Sequence, residues 1–227
     1  MKPRLRELLA GNQLEEVARL AEQRHRVLGD LVPLTYDRDA LVGWRAVEAM
    51  GLAAGRVADR HPEVVRECLR RLHWLLSEES GGVCWRAPEA MAEILRRCPA
   101  RFPEYVPIVT HLLLEMAEED LSHFRAGILW AIGRLGRTAA DLSGAPGTEP
   151  AHGRTDAVLA AVRLALDHED PQVRGIAVWA LTRLGRADLL TDRAELLHDG
   201  AKLELYENGD LRRATVAALA RRALATG

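Results

Sequence analysis

The sequence has few cysteines and no long uninterrupted apolar run. Its three cysteines are odd in number and show no C-x-x-C spacing, which argues against disulfides and against a thiolate metal site. We interpret them as small buried hydrophobic residues in a reducing compartment. No run approaches the roughly 20 apolar residues of a membrane span, and charged residues interrupt the N-terminal segment where a signal peptide would lie. We therefore expect a cytoplasmic protein with no membrane association.

Lysine and aromatic residues are also scarce. The only lysines are Lys2 and Lys202, so the positive charge comes almost entirely from arginine. A net charge of −2 argues against a generic polyanion binder. Aromatic residues make up only 4% of the chain, yet five of them are tryptophan. The composition, 48% hydrophobic and 28% charged, is otherwise that of a globular protein.

One helix-sized module recurs along the chain. Its clearest copies are DLSHFRAGILWAIGRLGR (120–137) and DPQVRGIAVWALTRLGR (170–186). A second pair, WRAVEAM (44–50) and WRAPEAM (85–91), is identical at six of seven positions, and LRRATVAALARR (211–222) is a weaker fifth copy. The copies are spaced 41, 41, 49 and 38 residues apart when they are aligned on Gly43, Cys84, Arg125, Arg174 and Arg212. Periods of about 40 to 47 residues with two helices each are typical of stacked HEAT and armadillo repeats.

Local signals predict where several elements begin. Asp37 or Asp39 is a suitable N-cap for the first WRAVEAM helix. Because proline is tolerated in the first helical turn but costs about 3 kcal/mol deeper in a helix, Pro88 predicts that the second such helix begins near Trp85 or later, or is kinked. Asp170 followed by Pro171 predicts the start of the fourth copy.

The segments between the repeated helices carry their own signals. Residues 138–153, rich in Gly, Pro and Ala, predict an irregular loop, after which a helix is expected from Asp156. Residues 187–197 are expected to form the helix that partners the fourth copy. Alternation up to Tyr206 followed by Asn208-Gly209 predicts a small β-hairpin near 202–213.

The repeated helix resembles a known motif. VRGIAVWALTRLG (173–185) and AVEAMG (46–51) are similar to the HEAT-like repeat of bacterial proteins of the PBS-lyase type, whose second helix runs Val-Arg-x-x-Ala-Ala-x-Ala-Leu-Gly. The resemblance covers nearly the whole chain after residue 12. It implies an all-α fold, an α-solenoid of about five two-helix repeats with a continuous core and a concave face.

This resemblance implies a single repeat domain over residues 1–227. We expect N-terminal helices in 1–36, repeat units in 37–79, 80–118, 119–168 and 169–199, and a C-terminal hairpin with a capping helix in 200–227.

The resemblance also indicates candidate contact residues. We call the residues on which the five copies are aligned the frame residues. In the family, the positions one and five residues after the frame residue tend to face the concave surface. Here they place Trp44 with Glu48, Trp85 with Glu89, and then Trp130 and Trp179. Two interpretations remain open. The tryptophans either form the aromatic floor of a partner-binding groove, or they pack against the neighbouring repeat, with Gly127 and Gly175 making room.

Charged residues add to this candidate surface. Arg134, Arg183 and Arg221 occupy the same position in three copies of the repeated helix and could form a basic stripe. Arg45 and Arg86 stand where the motif has a small buried residue, and Glu48 and Glu89, three residues on, are their candidate partners.

No motif assigns an enzymatic activity. Walker, G-x-G-x-x-G, H-x-x-x-H and nucleophile-elbow patterns are absent, and His168-Glu169 is the only His-Glu dipeptide, unlike in the HEAT-like di-iron hydroxylases. We therefore assign no catalytic residue, metal or cofactor.

The sequence favours a non-catalytic scaffold or adaptor that binds a segment of a partner protein in a Trp-lined, partly basic concave groove. One alternative is a nucleic-acid-binding protein or an enzyme resembling the HEAT-like alkylpurine DNA glycosylases. Another is a lyase-type chaperone of a cofactor-bearing protein, as in the bilin lyases that share this repeat.

Overall fold

The computed structural model describes residues 1–76, 86–116, 121–136 and 152–226. Within these ranges the chain is all-α apart from one two-stranded sheet. It divides into two compact units. Unit 1 comprises Met1–Tyr105 together with Tyr206–Leu211, and unit 2 comprises Val106–Leu205 and Arg212–Gly227. Each unit contains copies of the repeated helix.

The described residues of unit 1 form six α-helices and two short 3₁₀ helices, together with the strand residues of Tyr206–Leu211. The α-helices are α1 (Lys2–Ala10), α2 (Leu14–Gln23), α3 (Arg26–Leu31), α4 (Ala40–Val57), α5 (Pro62–Trp74) and α6 (Ala87–Arg97). The 3₁₀ helices are Val32–Tyr36 and Pro103–Tyr105. The motif helix α4 lies at the centre, where it packs against both α2 and α6. Its apolar residues are therefore buried on several sides.

The sequence signals for α4 and α6 are confirmed. The Asp39 carboxylate caps α4 by accepting a hydrogen bond of 2.9 Å from the backbone N–H of Leu41. Helix α6 begins at Ala87 and holds Pro88 in its first turn, where the missing N–H has no intrahelical partner to lose.

Unit 2 repeats this architecture. Its α-helices in the described ranges are α7 (Val106–Glu115), α8 (Ser122–Leu135), α9 (His152–Leu164), α10 (Pro171–Leu184) and α11 (Val216–Thr226). The described part of this unit also contains the 3₁₀ helices Ala165–Asp167, Ala187–Leu190 and Ala194–His198. The motif helices stack in order, α8 against α10 and α10 against α11. The Asp170 side chain accepts a bond of 2.8 Å from the N–H of Gln172 and so caps α10, as predicted.

Two expectations about connecting segments are wrong. Residues 187–197 form two separate 3₁₀ helices and not one α-helix. The Thr191 hydroxyl donates to the Asp188 carbonyl at 2.8 Å, a local side-chain bond that competes with a continuing helix. Helix α9 begins at His152, before the expected Asp156. Most of the predicted loop at 138–153 lies outside the described residues.

The predicted hairpin is confirmed. Strands β1 (Lys202–Glu207) and β2 (Asp210–Thr215) pair in a two-stranded sheet. Asn208 and Gly209 join them with φ angles of 52° and 81°. Two successive positive φ angles are the mark of a type I′ turn, whose twist matches that of paired strands. We call residues Tyr206–Leu211, which belong to unit 1, the hairpin tip.

A small residue eight positions after the frame residue allows neighbouring motif helices to approach. A Cβ added to Gly51 of α4 would lie 2.6 Å from the Glu93 carbonyl oxygen of α6. A Cβ added to Gly133 of α8 would lie 3.0 Å from the Ala180 Cα of α10. All five copies have a small residue at this slot, namely Gly51, Ala92, Gly133, Thr182 and Ala220.

We expect Gly51→Ala to destabilise the protein by about 1–3 kcal/mol, because the added methyl group meets backbone atoms that cannot move independently. Gly55→Ala on the same helix is the matched control. Its Cβ would meet only the Arg97 side chain at 3.4 Å, and we expect a gain of about 0.5–1 kcal/mol from the better helix propensity of alanine. Urea unfolding of both variants measures the difference. Equal effects would contradict the close approach of α4 and α6.

None of the described helices is both long enough and apolar enough to cross a membrane.

Candidate functional site

Trp44 is half-buried on α4 and is held by two residues of its own unit. Its ring stacks on the Tyr206 ring with centroids 5.2 Å apart and planes at 6°. The Arg86 guanidinium carbon lies 4.1 Å from the Trp44 ring centroid, a cation–π contact. The aromatic surface predicted for a partner is therefore occupied in part by the hairpin tip.

Glu48, one helical turn after Trp44, binds the same hairpin tip. Its Oε2 atom accepts hydrogen bonds from the Tyr206 hydroxyl at 2.6 Å and from the Gly209 N–H at 3.0 Å. Burial raises the pKa of Tyr206, and the hydrogen bond to Glu48 and its negative charge raise it further. The hydroxyl therefore keeps its proton and remains a donor to the carboxylate.

Arg45 is buried beside them, and its predicted pairing with Glu48 is wrong. Its Nε donates to the Gly209 carbonyl at 2.9 Å, and one terminal nitrogen donates to the carbonyls of Leu9 and Ala10 at 3.1 and 2.7 Å. The last carbonyls of α1 have no partner within their helix and carry partial negative charge, so they suit a guanidinium. Arg45 and Glu48 thus satisfy the carbonyl and the N–H of the same turn glycine.

Glu89 lies at the first turn of α6 and is only 2% exposed. Its Oε2 accepts no hydrogen bond from any residue in the described ranges. Burial raises the pKa of Glu89 to about 7, and the nearby Arg86 guanidinium opposes this shift only in part. Glu89 therefore offers no surface to a partner, and its charge is costly at neutral pH.

An open cleft adjoins Glu48 on unit 1. Its volume is about 620 Å³, and its walls come from the start of α2, from α4, from the end of α6 and from the hairpin tip. The side chains that give it its chemistry are Asn12, Arg19, Glu48, Leu52, Arg97 and Asn208, with Glu15 and Glu16 also on its walls. A cleft of this volume is in the range that holds a small molecule or a few residues of a peptide.

Most charges at the rim of the cleft are already paired. Glu16 forms an ion pair of 2.9 Å with Arg19, and Glu15 forms one of 2.8 Å with Arg56. Arg97 is exposed and forms no ion pair within the described residues. The Oε1 atom of Glu48 and the guanidinium of Arg97 are therefore the charged groups on the cleft walls that can receive a ligand.

Trp130 and Trp179 lie inside unit 2 and do not line an open groove. They are 1% and 2% exposed and stack with ring centroids 6.1 Å apart and planes at 11°. A Cβ on Gly133 would lie 2.8 Å from the Trp179 Cε3 atom, so Gly133 makes the room for this ring. Gly175, expected to do so, lies against Leu203 instead. The groove interpretation is therefore wrong for these two tryptophans.

The three predicted stripe arginines have different surroundings. Arg134 is buried, with its guanidinium carbon 5.3 Å from the Trp130 ring centroid. Arg183 is exposed, and Arg221 is exposed and donates to the Leu197 carbonyl at 2.6 Å. Only Arg183 and Arg221 are therefore accessible to a partner. Trp85 lies outside the described residues.

The sequence did not indicate that Tyr206, Asn12 or Arg97 belongs to a site. The hairpin was recognisable from Asn208-Gly209, but nothing in the chain places its tip beside Glu48. Asn12 has a positive φ of 55° and lies between α1 and α2. No group of three or more His, Cys, Asp or Glu side chains in the described ranges is arranged to hold a metal ion.

Comparison with known proteins identifies the fold. No protein-family model and no curated protein matches the chain. A computationally designed armadillo repeat protein for modular peptide recognition matches over 99% of both chains, with 17% identity and a TM-score of 0.50. An engineered protein from a structural genomics consortium matches over 99% of this chain and 95% of its own, with the same identity and TM-score.

A HEAT-like repeat protein from the archaeon Thermococcus onnurineus NA1 also matches, at 16% identity over 98% of this chain and 95% of its own. Its TM-score of 0.37 is too low to add structural weight. The predicted fold class is confirmed. The chain has the HEAT/armadillo-like repeat fold, an all-α solenoid with a small β-hairpin.

Proposed function

We propose that this protein is a helical-repeat binding module that holds a segment of a partner protein in the cleft of unit 1. The observation that carries the proposal is the cleft itself, about 620 Å³ in volume, with the motif helix α4 as one wall and the buried carboxylate of Glu48 at its side. The repeat fold is commonly a protein-interaction scaffold. The similar designed armadillo protein is one made for modular peptide recognition.

The cleft suits a peptide because its polar groups can satisfy a peptide backbone. Asn12 and Asn208 bring side-chain amides to its walls, each with both donor and acceptor capacity, while Leu52 provides an apolar surface. An extended segment needs such alternating donors and acceptors, since its main-chain groups must be paired once they leave water. The site of this proposal is therefore Glu48 and its cleft neighbours, with Trp44 supporting the hairpin tip beside them.

The charges of the cleft favour a protein segment over nucleic acid. Three carboxylates, Glu15, Glu16 and Glu48, line it against two guanidiniums, Arg19 and Arg97. Nucleic acids bind mainly by neutralisation of their phosphates, which needs an excess of basic groups.

Selection from a library of displayed random 12-residue peptides tests the proposal. We expect selected peptides to bind the wild-type protein and to bind Leu52→Glu at least tenfold more weakly, because the substitution adds a charge to the apolar wall of the cleft. Trp74→Ala is the matched control, since Trp74 is 58% exposed and does not line the cleft.

Isothermal titration with synthetic peptides gives the affinities, and thermal melting confirms that both variants fold. Recovery of no binding peptide, or equal binding to Leu52→Glu, would refute the proposal. Steep salt-dependent binding of duplex DNA that is unaffected by Leu52→Glu would favour a nucleic-acid partner instead.

A further inference from the structure

Glu48 brings a buried carboxylate to the wall of the cleft. The residue is 9% exposed, and its Oε2 atom is occupied by the Tyr206 hydroxyl and the Gly209 N–H. Its Oε1 atom accepts no hydrogen bond from the residues in the described ranges. Oε1 is not one of the fully buried side-chain atoms without a partner, so it is open to the cleft, where water or a ligand can donate to it. The cleft is the place from which a donor can reach it.

The surrounding charges decide the sign of a fitting ligand. At the rim, Glu15 and Glu16 are exposed or partly exposed and already carry arginine partners. Arg97 is exposed, so its charge is screened by solvent and salt. The buried Glu48 carboxylate is screened much less, and the buried Arg45 guanidinium beside it is bound to backbone carbonyls and does not line the cleft. The Asn12 and Asn208 amide oxygens add neutral acceptors on the same walls.

We propose that the cleft binds an alkylammonium or guanidinium group, which donates to the Oε1 atom of Glu48. This deepens and rests on the proposed function when the group is a lysine or arginine side chain of the partner segment. A free small amine has the same chemistry and would use the same atom. The strong bond is a charge-assisted one in a partly desolvated site, where opposite charges attract more strongly than in bulk water.

The Gly209 amide is a local reporter of binding, because its N–H bonds the same carboxylate. ¹⁵N–¹H spectra are recorded while the wild-type protein is titrated with N-acetyl-arginine methylamide, with n-butylamine, and with the methylamides of N-acetyl-norleucine and N-acetyl-glutamate. We expect the first two probes to shift the Gly209 signal saturably and the last two to leave it in place. Tighter binding of the blocked arginine points to a peptide side chain, and tighter binding of butylamine points to a free amine.

Two substitutions, one removing a negative charge and one removing a positive charge, test the proposal further. Glu48→Gln keeps an oxygen acceptor for Tyr206 and Gly209 but removes the charge, and we expect at least tenfold weaker binding of the cationic probes. Arg97→Gln removes the competing positive charge at an exposed position, and we expect two- to tenfold tighter binding. Unchanged binding by Glu48→Gln, weaker binding by Arg97→Gln, or saturable binding of the glutamate probe would overturn the proposal.

Each failure has its own signature. Should Glu48→Gln not fold, the exposed Arg97→Gln variant still gives the sign of the preferred ligand. Library peptides that bind the cleft without a basic residue at a recurring position, together with no response to the cationic probes, would leave the partner-binding function standing and refute the cation site. Saturable binding of the cationic probes with no peptide recovered would support the cation site and refute the binding of a partner segment.

Discussion

Replacing Trp179 by alanine is expected to lower the free energy of unfolding by about 3–5 kcal/mol. The side chain is 2% exposed, and it stacks on Trp130 while filling the space that Gly133 leaves. Removing the ring leaves a cavity between α8 and α10 that their backbones cannot close, because they already approach closely at Gly133 and Ala180. Urea unfolding followed by far-UV circular dichroism measures the loss.

Trp74→Ala is the control for this prediction, since it deletes the same side chain at a position that is 58% exposed. We expect a cost of less than about 1 kcal/mol there, as for surface substitutions in general. If Trp179→Ala cost no more than Trp74→Ala, the burial of Trp179 would be wrong, and the tryptophan would again be a candidate for partner contact.

The second large effect concerns Glu89 and depends on pH. The pKa of this carboxyl is raised to about 7 in the folded protein by burial, against an ordinary value of 4.5. The folded state therefore holds the proton more tightly than the unfolded state. The resulting contribution to stability is fully present below about pH 4.5 and is lost as the pH rises through about 7.

Glu89→Gln removes this titration while keeping the shape of the side chain. We expect wild type and variant to have similar stabilities near pH 4, and the variant to be more stable by up to about 3 kcal/mol at pH 8. Denaturant unfolding across this pH range measures the difference between the two proteins. Glu7→Gln, at an exposed position of α1, is the control. We expect its stability relative to the wild type to change little between pH 4 and pH 8.

A constant difference between wild type and Glu89→Gln from pH 4 to pH 8 would contradict the raised pKa. A variant less stable than the wild type at pH 8 would contradict it more strongly, because it would mean that the ionised carboxylate has a stabilising partner.

Much of the local structure was predictable because the signals are local. Asp39 and Asp170 cap α4 and α10 through bonds to the next backbone N–H groups, and Pro88 limits where α6 can begin. Asn208-Gly209 specifies a tight turn by its own preference for positive φ. The repeat period likewise follows from the order of similar helices along the chain, so the fold class could be predicted without coordinates.

The candidate site was predictable only in part. Trp44, Trp130 and Trp179 belong to the same class of slots, yet Trp44 is half-buried under the hairpin tip while the other two form a buried stack. The position of a residue within the repeat specifies which face of its own helix the side chain occupies. What covers that face depends on residues far away in sequence.

The sequence by itself therefore determined the motif helices, the caps of α4 and α10, the hairpin turn and the repeat fold, since each depends on residues within one or two helical turns or on a regular period. Tertiary structure alone decided that Arg45 and Glu48 bind the two sides of Gly209 rather than each other. The physical reason is that a buried charge takes the nearest partner that also satisfies its geometry, and here that partner lies more than 160 residues away along the chain.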